Sequence, residues 1–307
     1  MLFEQIAANK RKTIFIILGF FIFVLMVGAA IGIKKKIVWN NYLNGLVLAA
    51  VIGAFYILIM VMSSSSVVMA MNHAKEVTSK EQAPVLWDTV ESMAMVAGIP
   101  MPKVYIVEDP SPNAFATGIS PEKGAVAVTR GLLNKLERYE LEGVIAHEIS
   151  HIRNYDIRLS TIAIALVAVI AILSDIAMRM IFWGSLTGGR NNRKSDNNNS
   201  GGAQAIIYIV ALIFVILAPI IATAIQFALS RNREYLADAS AVELTRNPDG
   251  LIQALQKISG DSKKMEEVSA SSESIYFASP LKSKKNKPGL FDSHPPISSR
   301  IERLENM

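Results

Sequence analysis

The chain has 307 residues, 51% of them hydrophobic and 19% charged, with a formal net charge of +5 and no cysteine. The missing cysteines exclude disulfides, thiolate metal ligands and cysteine nucleophiles. The apolar excess over a soluble domain is gathered into long uncharged blocks flanked by Lys and Arg, which fits lipid headgroups and not a nucleic-acid partner.

Ile14 to Ile33 is twenty residues without a charge, framed by Lys10-Arg11-Lys12 and Lys34-Lys35-Lys36. That length spans a bilayer core and exceeds the apolar region of a signal peptide, so it reads as an uncleaved anchor. Leu43 to Met62 is a second uncharged run of twenty, which makes residues 1–62 a transmembrane hairpin. The two basic triplets nearly balance. Lys75, Lys80 and Lys103 then tip the positive-inside balance toward a cytoplasmic N-terminus and a cytoplasmic segment after the second span.

Residues 63–158 look soluble and read as the first part of a folded domain outside the bilayer. Gln82 to Ala97 carries apolar residues at helical spacing and is stopped by Gly98-Ile99-Pro100. Three strand-like runs follow, Val104 to Val107, Asn113 to Thr117 and Ala125 to Val128. Turn chemistry at 109–112 and 120–124 separates them, and together they read as a small antiparallel meander. Asn113, Ala114, Phe115 and Ala116 are a candidate edge for aligning a substrate backbone; an ordinary core strand is the competing reading. Thr129 is placed to cap a helix through Arg130 to Leu136, and Glu140 starts the next one.

That next helix carries His147-Glu148-Ile149-Ser150-His151. On a helix, positions i and i+4 share a face, so both imidazoles reach one metal ion. Neutral imidazole suits zinc, and a catalytic zinc keeps three protein ligands and one open position. Glu148 is then the general base toward a water held there. The competing reading is an amphipathic helix that merely carries these side chains, since Leu141, Val144, Ile145 and Ile149 already give it an apolar stripe.

A second hydrophobic hairpin occupies 159–229, with blocks at 159–183 and 203–229 around a polar loop at 184–202. Asp175 and Arg179 sit inside the first block, so either it spans with those charges near an interface or it is partly buried against protein. Two crossings return the chain to the side of His147 and His151, where residues 230–307 form the second part of the catalytic domain. There Glu234 and Asp238, at i and i+4, share a helix face. Glu234 is assigned as third ligand and Asp238 as the carboxylate that orients a ligand histidine through its far ring nitrogen. A solvated salt-bridge face with Arg231 and Arg233 is the competing reading.

These motifs, with Asn154 and Asp156 after the first, resemble the HtpX family of bacterial membrane-bound zinc endopeptidases, which are related to the CAAX prenyl protease. Pro112 to Gly118 and Ser293-His294-Pro295-Pro296 carry the same resemblance, which covers nearly the whole chain. It implies one zinc per chain on His147, His151 and Glu234, Glu148 as base, and a role in membrane-protein quality control under stress.

Ser272 to Leu281 is an apolar island in a Ser- and Lys-rich loop, suited to dock on the core. Pro295-Pro296 begins a final helix, Ile297 to Glu305. His294 before it reads either as a structural residue or as a donor to the tetrahedral oxyanion, braced by Arg300. The expected fold is therefore a mainly α membrane protein with four transmembrane helices and an α+β zincin-like catalytic domain carrying a small β-meander. The expected activity is zinc-dependent cleavage of unfolded or membrane-anchored polypeptides at the cell membrane. A transporter and a catalytically silent metal-binding scaffold are the alternatives. Against the first, no metal residue lies mid-membrane; against the second stands Glu148, which zinc binding alone does not require.

Overall fold

A computed structural model of the protein describes residues 39–166, 231–263, 265, 275–279 and 295–307, with 7, 11, 13–19 and 21–22 before them. Residues 39–50, 52, 53, 56, 57, 231 and 232 are described in backbone only. The predicted loop 184–202, the predicted block 203–229, residues 167–183 of the block before them, and His294 lie outside the described residues. The chain divides into two compact units. One comprises Met1–Thr13, Met62–Ala165 and Ala224–Met307; the other comprises Ile14–Val61 and Leu166–Thr223.

The predicted run Leu43 to Met62 falls inside one continuous helix, α1, Trp39–Met71. Among the described residues no helix is long and apolar enough to cross a membrane. Val51, Phe55, Leu58, Ile59 and Met62 of α1 are nonetheless large, apolar and exposed, as are Ile14, Phe15, Leu18 and Ile22 earlier in the chain.

In the first unit, α1 ends where His73 takes φ 52° and its N–H bonds Ala70 O at 3.1 Å. Four strands follow, interleaved with helices: β1 Lys75–Val77, α2 Pro84–Ala97, β2 Lys103–Val107, β3 Ala114–Thr117 and β4 Ala125–Thr129. Their order in the sheet is β1-β2-β4-β3, with β2 parallel to β4 and the other two pairs antiparallel. The expected antiparallel meander is thus corrected to a mixed sheet. Its cause lies in the β2–β3 connection. Pro110 and Pro112 lack the N–H a tight hairpin would use, and Asn113 is tied instead to Thr129, whose Oγ1 accepts from Asn113 N at 2.9 Å. The chain therefore passes over the place of β4 and returns as the edge, leaving a slot that β4 fills. The extra strand β1 is three residues long, two of them charged, and carries no period-two signal. Its Glu76 pairs across to Lys103 at 2.8 Å and to Tyr105 OH at 3.2 Å.

Period-two alternation sends each strand's side chains into two cores. Val104, Ile106, Ala114, Ala116, Val126 and Val128 join the larger one, shared with α2 and the helices described next. Val107, Phe115, Ala125 and Ala127 face a smaller one with Val68, Met69 and Tyr276. Both faces are covered, so β4 reads as unbroken apolar sequence.

Thr129 caps α3, Arg130–Lys135, by accepting from Leu132 N at 3.1 Å. Helix α4, Arg138–Arg153, lies at the centre and packs against α2, α5 (Arg231–Thr245) and α6 (Pro248–Ser259). It begins two residues before the expected Glu140. Glu137 is the N-cap, and Glu140 at N3 closes a capping box by accepting from Glu137 N at 2.7 Å. Against α6 the backbones nearly touch: a Cβ on Gly143 would stand 2.8 Å from Leu251 N. Helix α7, Ile297–Glu305, closes the unit against α6 and α5.

Candidate active site

Helix α4 offers His147 and His151 on one face, and α5 brings Glu234 opposite them. His147 Nε2 and His151 Nε2 lie 3.2 Å apart. Glu234 is 3.8 Å from the first through Oε2 and 3.5 Å from the second through Oε1. One ligand atom from each residue falls within a 4.8 Å cluster. Donors about 2.0–2.1 Å from a tetrahedral zinc stand about 3.3 Å from one another, so these separations fit the edges of such a polyhedron. Two imidazole lone pairs aimed at one point repel unless a proton or a cation lies between them, which is a second reason the set suits a cation. The site is open on one side: His151 and Glu234 are each 12% exposed, His147 only 1%.

Each histidine is held from behind by a carboxylate. Asp238 Oδ1 is 2.9 Å from His147 Nδ1, and Asp156 Oδ2 is 3.3 Å from His151 Nδ1. The Nδ1–H donates to the carboxylate in each pair, which turns the Nε2 lone pair toward the cluster. Asp238 was expected in this position from its spacing to Glu234. Asp156 follows the end of α4, where helical spacing assigns it no partner. It returns to His151 through Asn154, whose N–H bonds Ser150 O, and Tyr155, held at φ 58°. A left-handed tyrosine is invisible to residue spacing.

Glu148 is buried beside the cluster, with the backbone N–H of Ala116 near its carboxyl. Burial, together with the nearby Glu234 charge, pushes its carboxyl up to about 8. Burial also lowers His147, with help from Arg300, to about 4, so it stays neutral and ready to ligate. Burial alone would lower His151, but the Asp156 hydrogen bond and the Glu234 charge outweigh it and raise it to about 9. Asp238 would be raised by burial, yet the Arg300 guanidinium and the His147 bond hold it near 2.

The sign for cation binding follows. Below about pH 9 the cation-free site carries a proton on His151, and a metal must expel it. Zinc uptake at neutral pH should therefore release at least one proton, and apparent affinity should fall about tenfold for each pH unit of acidification per proton released. Calorimetric titration with zinc in buffers of different ionisation enthalpy measures this; zinc uptake with no proton released would contradict it.

The strand Asn113–Ala116 is only partly free as an edge. Phe277 N donates to Ala114 O at 2.7 Å, and the Asn113 side chain mimics a strand by donating to Ala278 O at 2.8 Å and accepting from Ala278 N at 3.1 Å. Phe115 bridges Tyr276, and their rings meet edge to face at 4.9 Å. The island expected to dock on the core does so here, with Tyr276 and Phe277 buried. Strand alternation places Ala116 on the same edge as Ala114, next to Glu148. Arg300 grips Asp238 through 2.6 and 2.9 Å bonds; the bracing of His294 expected of it involves a residue outside the described ones.

Donors of this kind around a buried carboxylate define the class: a metallopeptidase. Residues 80–307 match the family model for peptidase family M48. All 307 residues align with proteins described as "Protease HtpX homolog", over the full length of both chains. Identity is 99% for that of Listeria monocytogenes serovar 1/2a, 56% for that of Leuconostoc mesenteroides and 51% for that of Levilactobacillus brevis. The chain belongs to peptidase family M48, among its HtpX proteases. A solved structure of S. mikatae Ste24p is also similar, at 21% identity and a TM-score of 0.46, covering 98% of this chain and 66% of that one.

Proposed function

We propose that the protein is a membrane-bound, zinc-dependent endopeptidase that cleaves extended polypeptide. The observation that carries this reading is the convergence of His147, His151 and Glu234 beside a buried Glu148. His147, His151 and Glu234 hold one zinc ion, while Asp238 and Asp156 fix the ring orientations. When bound, the zinc supplies Lewis acidity to water and to the scissile carbonyl. Glu148 accepts the proton of the attacking water and passes it to the leaving amine.

Substrate backbone aligns at the Ala116 end of β3, where the strand edge meets Glu148. His294, three residues before α7, supplies the oxyanion donor. The exposed apolar residues of 14–22 and 51–62 support lipid contact, with four spans in all and the catalytic unit in the cytoplasm. Substrates are unfolded or membrane-anchored polypeptides, because only an extended chain pairs with a strand edge, and the role is quality control under stress. A silent scaffold or a transporter finds no support in a peptidase family.

The test uses full-length protein in detergent. It should carry about one zinc, cleave unfolded casein, lose cleavage on chelation and regain it with zinc. Cleavage that persists in metal-free protein would end the reading.

A further inference from the structure

The side chain of Arg300 on α7 is 1% exposed and reaches two groups, Asp238 and Phe277. Nε donates to Asp238 Oδ2 at 2.9 Å and Nη2 to Oδ1 at 2.6 Å, a fork on a single carboxylate. Nη1 donates to Phe277 O at 3.1 Å, and the guanidinium carbon lies 4.6 Å over the Phe277 ring. That ring stands perpendicular to the imidazole of His147, with centroids 5.0 Å apart. Asp238 Oδ1 takes the Nδ1–H of His147. Nη2 also lies 3.4 Å from His147 Nδ1, but with that proton given to Asp238 both atoms are donors and converge on the same oxygen. The carboxylate and the ring that contact His147 are thus both held by one guanidinium.

The chemistry favours arginine specifically. A carboxylate with one partner turns about its own axis and presents either oxygen; engaged at both oxygens by a planar fork, it cannot. Its buried charge is also compensated, which the neutral Nδ1–H of His147 does not do. A carboxylate held in this way keeps the proton on Nδ1 and the lone pair on Nε2, which is the tautomer a metal needs.

We propose that Arg300 is a positioning residue of the metal centre. By forking onto Asp238 and seating Phe277 it fixes the orientation and tautomer of His147, and through them the affinity for the metal. This rests on the assignment of His147, His151 and Glu234 as ligands.

The experiment is a double-mutant cycle on full-length, metal-stripped protein in detergent. Wild type, Arg300→Gln, Asp238→Asn and the double variant are titrated with zinc against a chromophoric chelator, with circular dichroism to verify folding. Each single variant should bind zinc about 10- to 100-fold more weakly, the scale of losing an outer partner of a ligand. The double variant should be no more than about twofold weaker than the worse single one, because both changes break the same link. Cobalt substituted into Arg300→Gln should show a visible absorption spectrum different from wild type. Arg300→Lys keeps the charge and the stem, so it guards against loss of folding; it should recover only part of the affinity.

A folded Arg300→Gln that binds zinc as wild type does would overturn the proposal alone. So would losses that multiply in the double variant, the signature of a role confined to docking α7. Full recovery of affinity and cobalt spectrum by Arg300→Lys would overturn the fork. A wild type that takes up no zinc overturns the ligand assignment, and this proposal with it.

Discussion

Replacing Glu148 with Gln is expected to lower peptide hydrolysis by about 10²- to 10⁴-fold, the usual contribution of a positioned acid–base group, and to leave bound zinc in place. Glutamine has the shape of glutamate, so packing is retained in a position only 2% exposed. Its carbonyl oxygen can still face the nearby Ala116 N–H. It cannot accept a proton, however, and the step that generates the nucleophile loses its base. Glu148 is not one of the three converging ligand residues, so metal content should not change. The loss should fall on kcat more than on KM, because the missing interaction belongs to the transition state. Turnover of unfolded casein, read beside zinc content on the same preparation, makes the measurement. Undiminished turnover would remove Glu148 from the chemistry. Zinc lost along with turnover would instead make it part of the metal site.

Glu234→Ala should be more damaging to the metal. Removing a hydrogen-bond partner behind a ligand costs about 10- to 100-fold in affinity, and removing the ligand itself should exceed that range. The two histidines would remain, 3.2 Å apart at their Nε2 atoms, with no anionic donor to complete the set. The outcome also separates the two readings of the sequence around Arg231, Arg233 and Glu234. If Glu234 served only a charged surface, its loss would change zinc affinity little and stability by a few tenths of a kcal/mol, about the value of an exposed pair. Its position, 12% exposed and within 3.8 Å of both imidazoles, argues for the larger effect. Equilibrium zinc affinity and residual turnover decide between them.

The parts of the site that could be read from the chain are those written at helical spacing. His147 and His151 share a face for the same reason that Glu234 and Asp238 do, and four residues of helix suffice to say so. The cap at Thr129 and the start of α7 after Pro296 follow from single residues with fixed preferences. What could not be read depends on contacts distant in sequence. The parallel pairing of β2 with β4 needs β3 to pass outside both, and nothing in either strand records its neighbour. Asp156 reaches His151 only because Tyr155 adopts a left-handed backbone. The Arg300–Asp238 bond joins residues 62 apart, and the Phe277–Ala114 pairing covers part of an edge that looks open when Asn113 to Ala116 is read alone. Close approach of α4 and α6 at Gly143 is likewise a property of the pair, not of either helix.

The pieces gathered around the cluster come from widely separated points: Ala116 on β3, the histidines on α4, Glu234 and Asp238 on α5, Phe277 and finally Arg300 on α7. A ribosome delivers them one after another, N-terminal parts first. A chain halted between His151 and Arg300 has both histidines but lacks the guanidinium that holds Asp238. The set of contacts around His147 is therefore completed only when the last helix has been made.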